Sequence, residues 1–106
     1  DFNAESGTPV VVAADGVVLS AGWQSDFGNM IDVDHGDGLT TRYAHLSRMN
    51  VKAGSLVKRG ERIGAVGSTG RSTGAHLHFE VRMLGVAQNP AHFLKQGQEF
   101  ALVKRR

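Results

Sequence analysis

Glycine recurs every few residues along this chain, and that spacing limits the secondary structure the chain can form. The sequence has 14 glycines in 106 residues, about double the usual share in globular proteins. Glycine weakens helices and favours tight turns, so frequent glycines favour short strands over long helices. Runs rich in Val lie between the glycines. We therefore expect a mainly β fold made of short strands.

Two local patterns refine this expectation. Asp15-Gly16 separates an apolar run at residues 8–14 from another at residues 17–21. Asp-Gly in that position predicts a β-hairpin, because both central residues of the favoured turn need positive φ. In addition, Gly7-Thr8-Pro9-Val10 is similar to Gly54-Ser55-Leu56-Val57. This similarity predicts a duplicated Gly-rich motif of short strands.

Composition narrows the class of protein. A chain of 106 residues with 41% hydrophobic and 21% charged residues fits one small domain with a single core. Cysteine is absent, which excludes disulfides and thiolate sites. Three of the twelve basic residues form the tail at residues 104–106, and the other nine balance ten acidic residues. A nucleic-acid partner is therefore not expected. Separately, no run of apolar residues is long enough to predict a transmembrane segment.

The segment at residues 74–81 carries the strongest functional signal. It spells Gly-Ala-His-Leu-His-Phe-Glu-Val, and a strand places His76, His78 and Glu80 on one face with the apolar side chains on the other. A loop rich in Gly, Ser and Thr precedes it. Paired imidazoles suit a metal site or an acid–base site, and they equally suit exposed residues on a half-solvated sheet. The strand alone leaves both interpretations open.

A second histidine-bearing strand is predicted at residues 39–46. Alternation places Thr41, Tyr43 and His45 on one of its faces. From this strand alone, His45 is interpreted as a strand-end histidine that is hydrogen-bonded to a neighbour. His35, beside a turn and between acidic residues, is expected to be solvated.

The C-terminal part is predicted to contain little regular structure. Asn89-Pro90 predicts a turn, followed by one short helical turn that ends near Leu94 and exposes His92.

Five segments in a fixed order resemble one known family. They are Gly-Thr-Pro-Val at 7–10, Asp-Gly-Val-Val at 15–18, Phe-Gly-Asn-Met-Ile at 27–31, Tyr-Ala-His-Leu at 43–46, and Gly-Ser-Thr-Gly-Arg-Ser-Thr-Gly-Ala-His-Leu-His-Phe-Glu at 67–80. This order is similar to the M23 family, the LytM/lysostaphin-type zinc metallopeptidases that cut bacterial cell-wall peptide. The resemblance implies antiparallel sheets of the barrel-sandwich hybrid type. It also implies an M23-like peptidase domain at residues 1–94, truncated at its N-terminal edge, with a C-terminal tail at residues 95–106.

The resemblance also implies roles for individual residues. The second histidine of the family's His-x-His motif, a zinc ligand, is His78 here. Asp1 matches the carboxylate ligand of a His-x-x-x-Asp motif, whose histidine would lie four residues upstream of this sequence. His76, the first histidine of His-x-His, and His45, the histidine of the Tyr-x-His motif, match the family's catalytic histidines.

These implied roles are chemically consistent. Two imidazoles and one carboxylate around Zn²⁺ leave a fourth position for water, as in catalytic zinc sites. Two further histidines then orient or deprotonate that water and stabilise the oxyanion. The resemblance thus implies a zinc metalloendopeptidase of the cell envelope, periplasmic or secreted, acting on peptidoglycan peptide at stem-peptide cross-links. The loops at residues 22–28 and 67–75 are the expected walls of its groove.

Two alternatives come from other functional classes. The first is a non-catalytic M23-like domain that activates a separate cell-wall amidase. The presence of all four site residues, Asp1, His45, His76 and His78, argues against it. The second is a β-rich carrier or phosphotransfer module, since paired histidines can carry phosphate. No lysine lies in a carrier-type hairpin tip, so this alternative is the more remote.

Overall fold

A computed structural model of the chain describes residues 2–70, 74–84 and 86–88. Within those ranges it contains nine strands and no helix, and hence no helix that could cross a membrane. The strands are β1 (Phe2–Asn3), β2 (Pro9–Val11), β3 (Gly16–Gln24), β4 (Gly28–Asp34), β5 (Leu39–Met49), β6 (Leu56–Val57), β7 (Arg62–Val66), β8 (His76–Met83) and β9 (Val86–Gln88).

All pairings between these strands are antiparallel. The predicted mainly β, antiparallel fold is confirmed. The predicted helical turn near Pro90, with His92, and the predicted tail at residues 95–106 lie outside the described residues.

Strand β5 is the longest strand and organises the sheet. Along one edge it pairs with β4. Along the other edge, residues 39–44 pair with β8, whereas residues 46–49 pair with β7. The strand thus exchanges one neighbour for another at His45. Because β7 pairs in turn with β2, the sheet curls around its own apolar face.

The inward-facing side chains form one core. Its buried members are Val10, Val12, Ala13, Val18, Ile31, Val33, Tyr43, Leu46, Val57, Ile63, Val66, Leu77, Phe79 and Val81. In β8 the buried residues alternate with the partly exposed His76, His78 and Glu80. The predicted two-faced strand is therefore confirmed, and its polar face is available for a site.

Three turns of one design fasten the outer segments to this core. In each, a glycine with φ between 83° and 91° occupies the third position, which favours glycine over other residues. Each turn also makes two backbone hydrogen bonds with one buried valine elsewhere in the chain. The turns are residues 5–8 with Val66, residues 52–55 with Val18, and residues 58–61 with Val12. The first two form the predicted duplicated motif. The third, at residues 58–61, has the same design but lies outside the predicted duplication.

The predicted hairpin at Asp15-Gly16 was wrong. Strand β2 pairs with β7, while β3 pairs with β4 and β6, so the two strands flanking this dipeptide do not pair with each other. Gly16 is required for a different reason, because a Cβ there would collide with the backbone oxygen of Asp34. Asp15 accepts a hydrogen bond from the backbone N–H of Arg59, at 2.7 Å. Asp15 and Gly16 therefore make contacts with residues far away in the sequence, Arg59 and Asp34, instead of forming a hairpin turn.

A chain of hydrogen bonds runs from the buried backbone of Ala13 to the exposed carbonyl of Asp15. The backbone N–H of Ala13 donates to the Tyr43 hydroxyl (3.0 Å), and the Tyr43 and Thr41 hydroxyls lie 2.8 Å apart. The Thr41 hydroxyl is 2.7 Å from His35 Nε2, and His35 Nδ1 is 2.7 Å from the Asp15 carbonyl. Because that carbonyl only accepts, a neutral His35 donates from Nδ1 and accepts from Thr41. The prediction that His35 is simply solvated was wrong, since both its ring nitrogens have partners within the fold.

The Tyr43 hydroxyl makes a pH-dependent contribution that can be measured. Burial raises the pKa of Tyr43 to about 12, while the hydrogen bonds with Thr41 and Ala13 lower it by less. The folded state thus keeps the phenol proton after the unfolded chain loses it. Its contribution to stability is complete below pH 10 and is lost as the pH rises towards 12.

Tyr43→Phe should therefore lower the free energy of unfolding at pH 8 by about 1–3 kcal/mol, because two buried partners lose their hydrogen bonds. The difference between the two proteins should shrink at pH 11. Urea unfolding at both pH values measures it, and a difference that does not change with pH would contradict this account.

Candidate active site

His45 lies in a β-bulge, and the bulge sets the direction of its side chain. Where β4 advances two residues, from Asn29 to Ile31, β5 advances three residues, from Leu46 back to Tyr43. The φ of His45 is +60°, in the left-handed region that residues with a side chain seldom occupy. Its backbone N–H donates to the carbonyl of Phe27 at 2.7 Å. Such bulges re-aim a side chain and are common beside active sites.

The bulge brings His45 to the histidines of β8. Its ring centroid lies 5.1 Å from that of His76 and 5.8 Å from that of His78. Tyr43 remains in the core. The prediction that Thr41, Tyr43 and His45 share one face was wrong, because the extra residue breaks the alternation before His45. Three imidazoles from two separate motifs are thereby brought together.

Two of these rings have the same hydrogen-bonded arrangement. His45 Nδ1 is 2.6 Å from the carbonyl oxygen of Thr69, and His76 Nδ1 is 2.9 Å from the carbonyl oxygen of Gly74. A carbonyl only accepts, so in each ring Nδ1–H is the donor. In the neutral ring, the lone pair then lies on Nε2. Both rings are therefore suited to accept a proton through Nε2.

His45 is also largely withdrawn from water, with 7% of its surface exposed. Burial lowers the pKa of His45 below its ordinary value of 6.5, partly opposed by the Thr69 hydrogen bond. The neighbouring rings of His76 and His78 lower the pKa further. A ring that is neutral near pH 7 has its lone pair available for proton transfer.

Thr69 is held in place by several contacts, and His45 depends on it. Its hydroxyl donates to the carbonyl of Leu46 (2.7 Å) and accepts from the backbone N–H of Asn29 (3.2 Å). The backbone of Gly28 approaches so closely that a Cβ there would lie 2.5 Å from the Thr69 hydroxyl oxygen. The acceptor for His45 is therefore fixed by the packing of one loop against the turn between β3 and β4.

That turn is shorter than the sequence predicted. The expected loop at residues 22–28 was wrong in extent, because β3 continues to Gln24 and β4 begins at Gly28. At the turn, the Phe27 ring lies 5.5 Å from the ring of His78. No role was predicted for Phe27 or Thr69 individually. Both lie in segments that resemble the M23 pattern, and the register of the strands was needed to place them beside the histidines.

The predicted metal ligands are described only in part. Asp1 lies outside the described residues. Within residues 2–70, 74–84 and 86–88, no group of three His, Asp or Glu side chains could hold a metal ion. The donor chemistry of His78 nevertheless fits zinc. It is a partly exposed imidazole beside two others, and imidazole nitrogen is a common zinc ligand.

A family model described as "Peptidase family M23" matches residues 1–90. The chain belongs to the M23 peptidase family. The DD-carboxypeptidase/endopeptidase Mpg of Neisseria meningitidis serogroup B is 49% identical over 90 residues, which cover 85% of this chain and 21% of that protein. This chain thus spans about a fifth of the length of the curated relatives it matches.

Solved structures agree with this assignment. The catalytic domain of the antimicrobial peptidase lysostaphin from Staphylococcus simulans has a TM-score of 0.82 and 43% identity, covering 87% of this chain and 74% of that one. A zinc-containing peptidase from Vibrio cholerae has a TM-score of 0.78 and 41% identity, covering 80% of this chain and 26% of that one. The predicted M23-like fold is confirmed.

Gly28→Ala tests the contact that fixes Thr69. We expect it to lower the free energy of unfolding and to break the hydrogen bond between His45 and Thr69, because the added Cβ displaces the loop. The imidazole Nδ1–H signal of His45 in NMR spectra measures the bond, and urea unfolding measures the stability.

Gly54→Ala is the matched control. Gly54 also has positive φ (90° against 68° for Gly28), but a Cβ at that position meets nothing within 4 Å. It should lose about 1–2 kcal/mol through backbone strain and keep the His45 signal. If both variants retain that signal equally, the close approach of Gly28 does not fix Thr69 for its bond with His45.

Proposed function

We propose that this chain is the catalytic part of a zinc metalloendopeptidase that hydrolyses peptide bonds of bacterial peptidoglycan, at stem-peptide cross-links. The observation that carries the proposal is the convergence of His45, His76 and His78, with ring centroids 5.1 and 5.8 Å from His45. The proposed partner is peptidoglycan peptide. The location that follows is the cell envelope, periplasmic or secreted.

His45 and His76 are the proposed catalytic residues. Each presents an Nε2 lone pair, because its Nδ1–H is bound to a backbone carbonyl. Either ring accepts a proton from the attacking water. The resulting N–H⁺ then donates to the oxyanion or to the leaving amine. Burial of His45 lowers its pKa and favours the neutral form that this step needs.

His78 and Asp1 are the proposed metal ligands, together with a histidine four residues upstream of Asp1. Support for Asp1 comes from the register of β1 on β8, in which Phe2 pairs with Leu77, the neighbour of His78. Asp1 is the residue that precedes Phe2 in the chain. When bound, zinc would lower the pKa of water and polarise the scissile carbonyl.

A non-catalytic M23-like domain that activates an amidase is the second candidate. It would need a peptide-binding surface, but it would not need histidines with lone pairs arranged for proton transfer. The hydrogen-bonded tautomers of His45 and His76 favour the enzyme.

The test is digestion of purified peptidoglycan by the protein extended upstream of Asp1, with separation of the released muropeptides. We expect cleavage of cross-linked muropeptides that stops on chelation and returns with zinc. His45→Ala and His76→Ala should lower the rate by about 10²–10⁴-fold each while zinc still binds, because proton transfer is lost. His78→Ala should instead lose zinc.

His35→Gln controls for stability. His35 lies outside the proposed site and links Asp15 to Thr41, so this variant should be less stable yet cleave at the parent rate below its unfolding temperature. Cleavage that persists without metal, or in His76→Ala at the parent rate, would refute the proposed enzyme. Amidase activation by a chain that cleaves nothing would support the second candidate.

A further inference from the structure

Charged side chains form a continuous row beside His78, across three neighbouring strands. Arg42 on β5 makes two hydrogen bonds with Asp32 on β4, at 2.8 and 3.0 Å. Arg42 also lies 3.7 Å from Glu80 on β8, and Glu80 is 3.2 Å from Nε2 of His78. The strand register makes Asp32 and Glu80 the direct partners of Arg42 on its two sides. The row is therefore built into the sheet.

Several contacts hold Glu80 in this position. One of its carboxylate oxygens accepts from Arg82 at 3.3 Å, and the other faces both His78 and Arg42. The side chains of Arg42 and Glu80 are only 20% and 18% exposed. Phe27 covers the row, with its ring centroid 5.0 Å from the Arg42 guanidinium carbon and 5.5 Å from the His78 ring. Cover of this kind reduces the screening that weakens exposed ion pairs.

The Glu80 carboxylate fixes the tautomer of His78. An ionised carboxylate only accepts, so Nε2–H of His78 is the donor and the lone pair of the neutral ring lies on Nδ1. This is the opposite of His45 and His76, whose Nδ1 atoms donate to carbonyls. The hydrogen-bond partners therefore distinguish His78, with its lone pair on Nδ1, from the two rings with a lone pair on Nε2.

We propose that Glu80, held by Arg42 and Arg82, is a positioning residue that orients His78 and presents its Nδ1 as the metal-binding nitrogen. The metal part of this statement rests on the proposed function. A carboxylate that accepts the second N–H of a ligand histidine fixes the ring and raises its basicity. The two arginines also occupy the carboxylate, which keeps Glu80 from acting as a competing ligand itself.

The test compares Glu80→Ala and Glu80→Gln with the parent, all made in the protein extended upstream of Asp1 so that the proposed ligand set is complete. Long-range ¹H–¹⁵N spectra of the imidazoles report the tautomer of His78, with and without one equivalent of zinc. The parent and Glu80→Gln should show the Nε2–H form, because the amide oxygen still accepts. Glu80→Ala should show a mixture of tautomers without metal, and its zinc dissociation constant should rise by about 10–100-fold.

Glu5→Ala is the control, because the Glu5 side chain is exposed, and the backbone carbonyl that accepts from the N–H of Thr8 is kept in the variant. It should change neither readout. An unchanged His78 tautomer in Glu80→Ala would overturn the positioning role.

The same data separate this role from the proposed function. If the tautomer changes as expected but the extended parent protein binds no zinc, Glu80 positions His78 and the metallopeptidase proposal fails. If zinc binds equally to all variants while the tautomer stays fixed, the role of Glu80 fails and the metallopeptidase proposal survives.

Discussion

The bulge at His45 is the constraint on which the rest of the site depends. It places one residue in the left-handed region, a conformation that costs about 1–2 kcal/mol for a residue with a side chain. Two hydrogen bonds help to offset this cost: the backbone N–H donates to Phe27, and Nδ1–H donates to Thr69. Without the bulge, alternation would direct the imidazole into the valine-rich core.

The bulge also lies where β5 exchanges β8 for β7. Gly67 and His76 form a single bridge there, and Thr69 is held close to the β3–β4 turn at Gly28. The site is therefore built where two parts of a curled sheet separate. At this point backbone carbonyls are available to fix imidazole tautomers. The tautomer of the third ring, His78, is fixed by a side chain of the sheet instead. Its partner is Glu80, which lies at the end of the row of charges through Arg42.

The features that could be predicted from the sequence are those set by a pattern within one short segment of the chain. The alternation in β8 is complete within its own residues, so its two faces followed from the sequence. The bulge, by contrast, depends on how β5 pairs with β4, and nothing in the order Tyr-Ala-His-Leu signals an extra residue. The Asp15-Gly16 prediction failed for the same reason, since close packing against Asp34 requires the glycine. The catalytic roles of His45 and His76 were inferred from the resemblance alone, and their tautomers needed the positions of Thr69 and Gly74.

The central claim is that His78 provides a zinc ligand while His45 and His76 stay outside the ligand set with Nε2 facing the site. Anomalous diffraction at the zinc absorption edge, from crystals of the zinc-loaded protein extended upstream of Asp1, tests this directly. We expect one peak, bound by Nδ1 of His78, by Asp1 and by the upstream histidine, with neither His45 nor His76 as a ligand. Zinc bound through His45 or His76, or no peak at His78, would contradict the account.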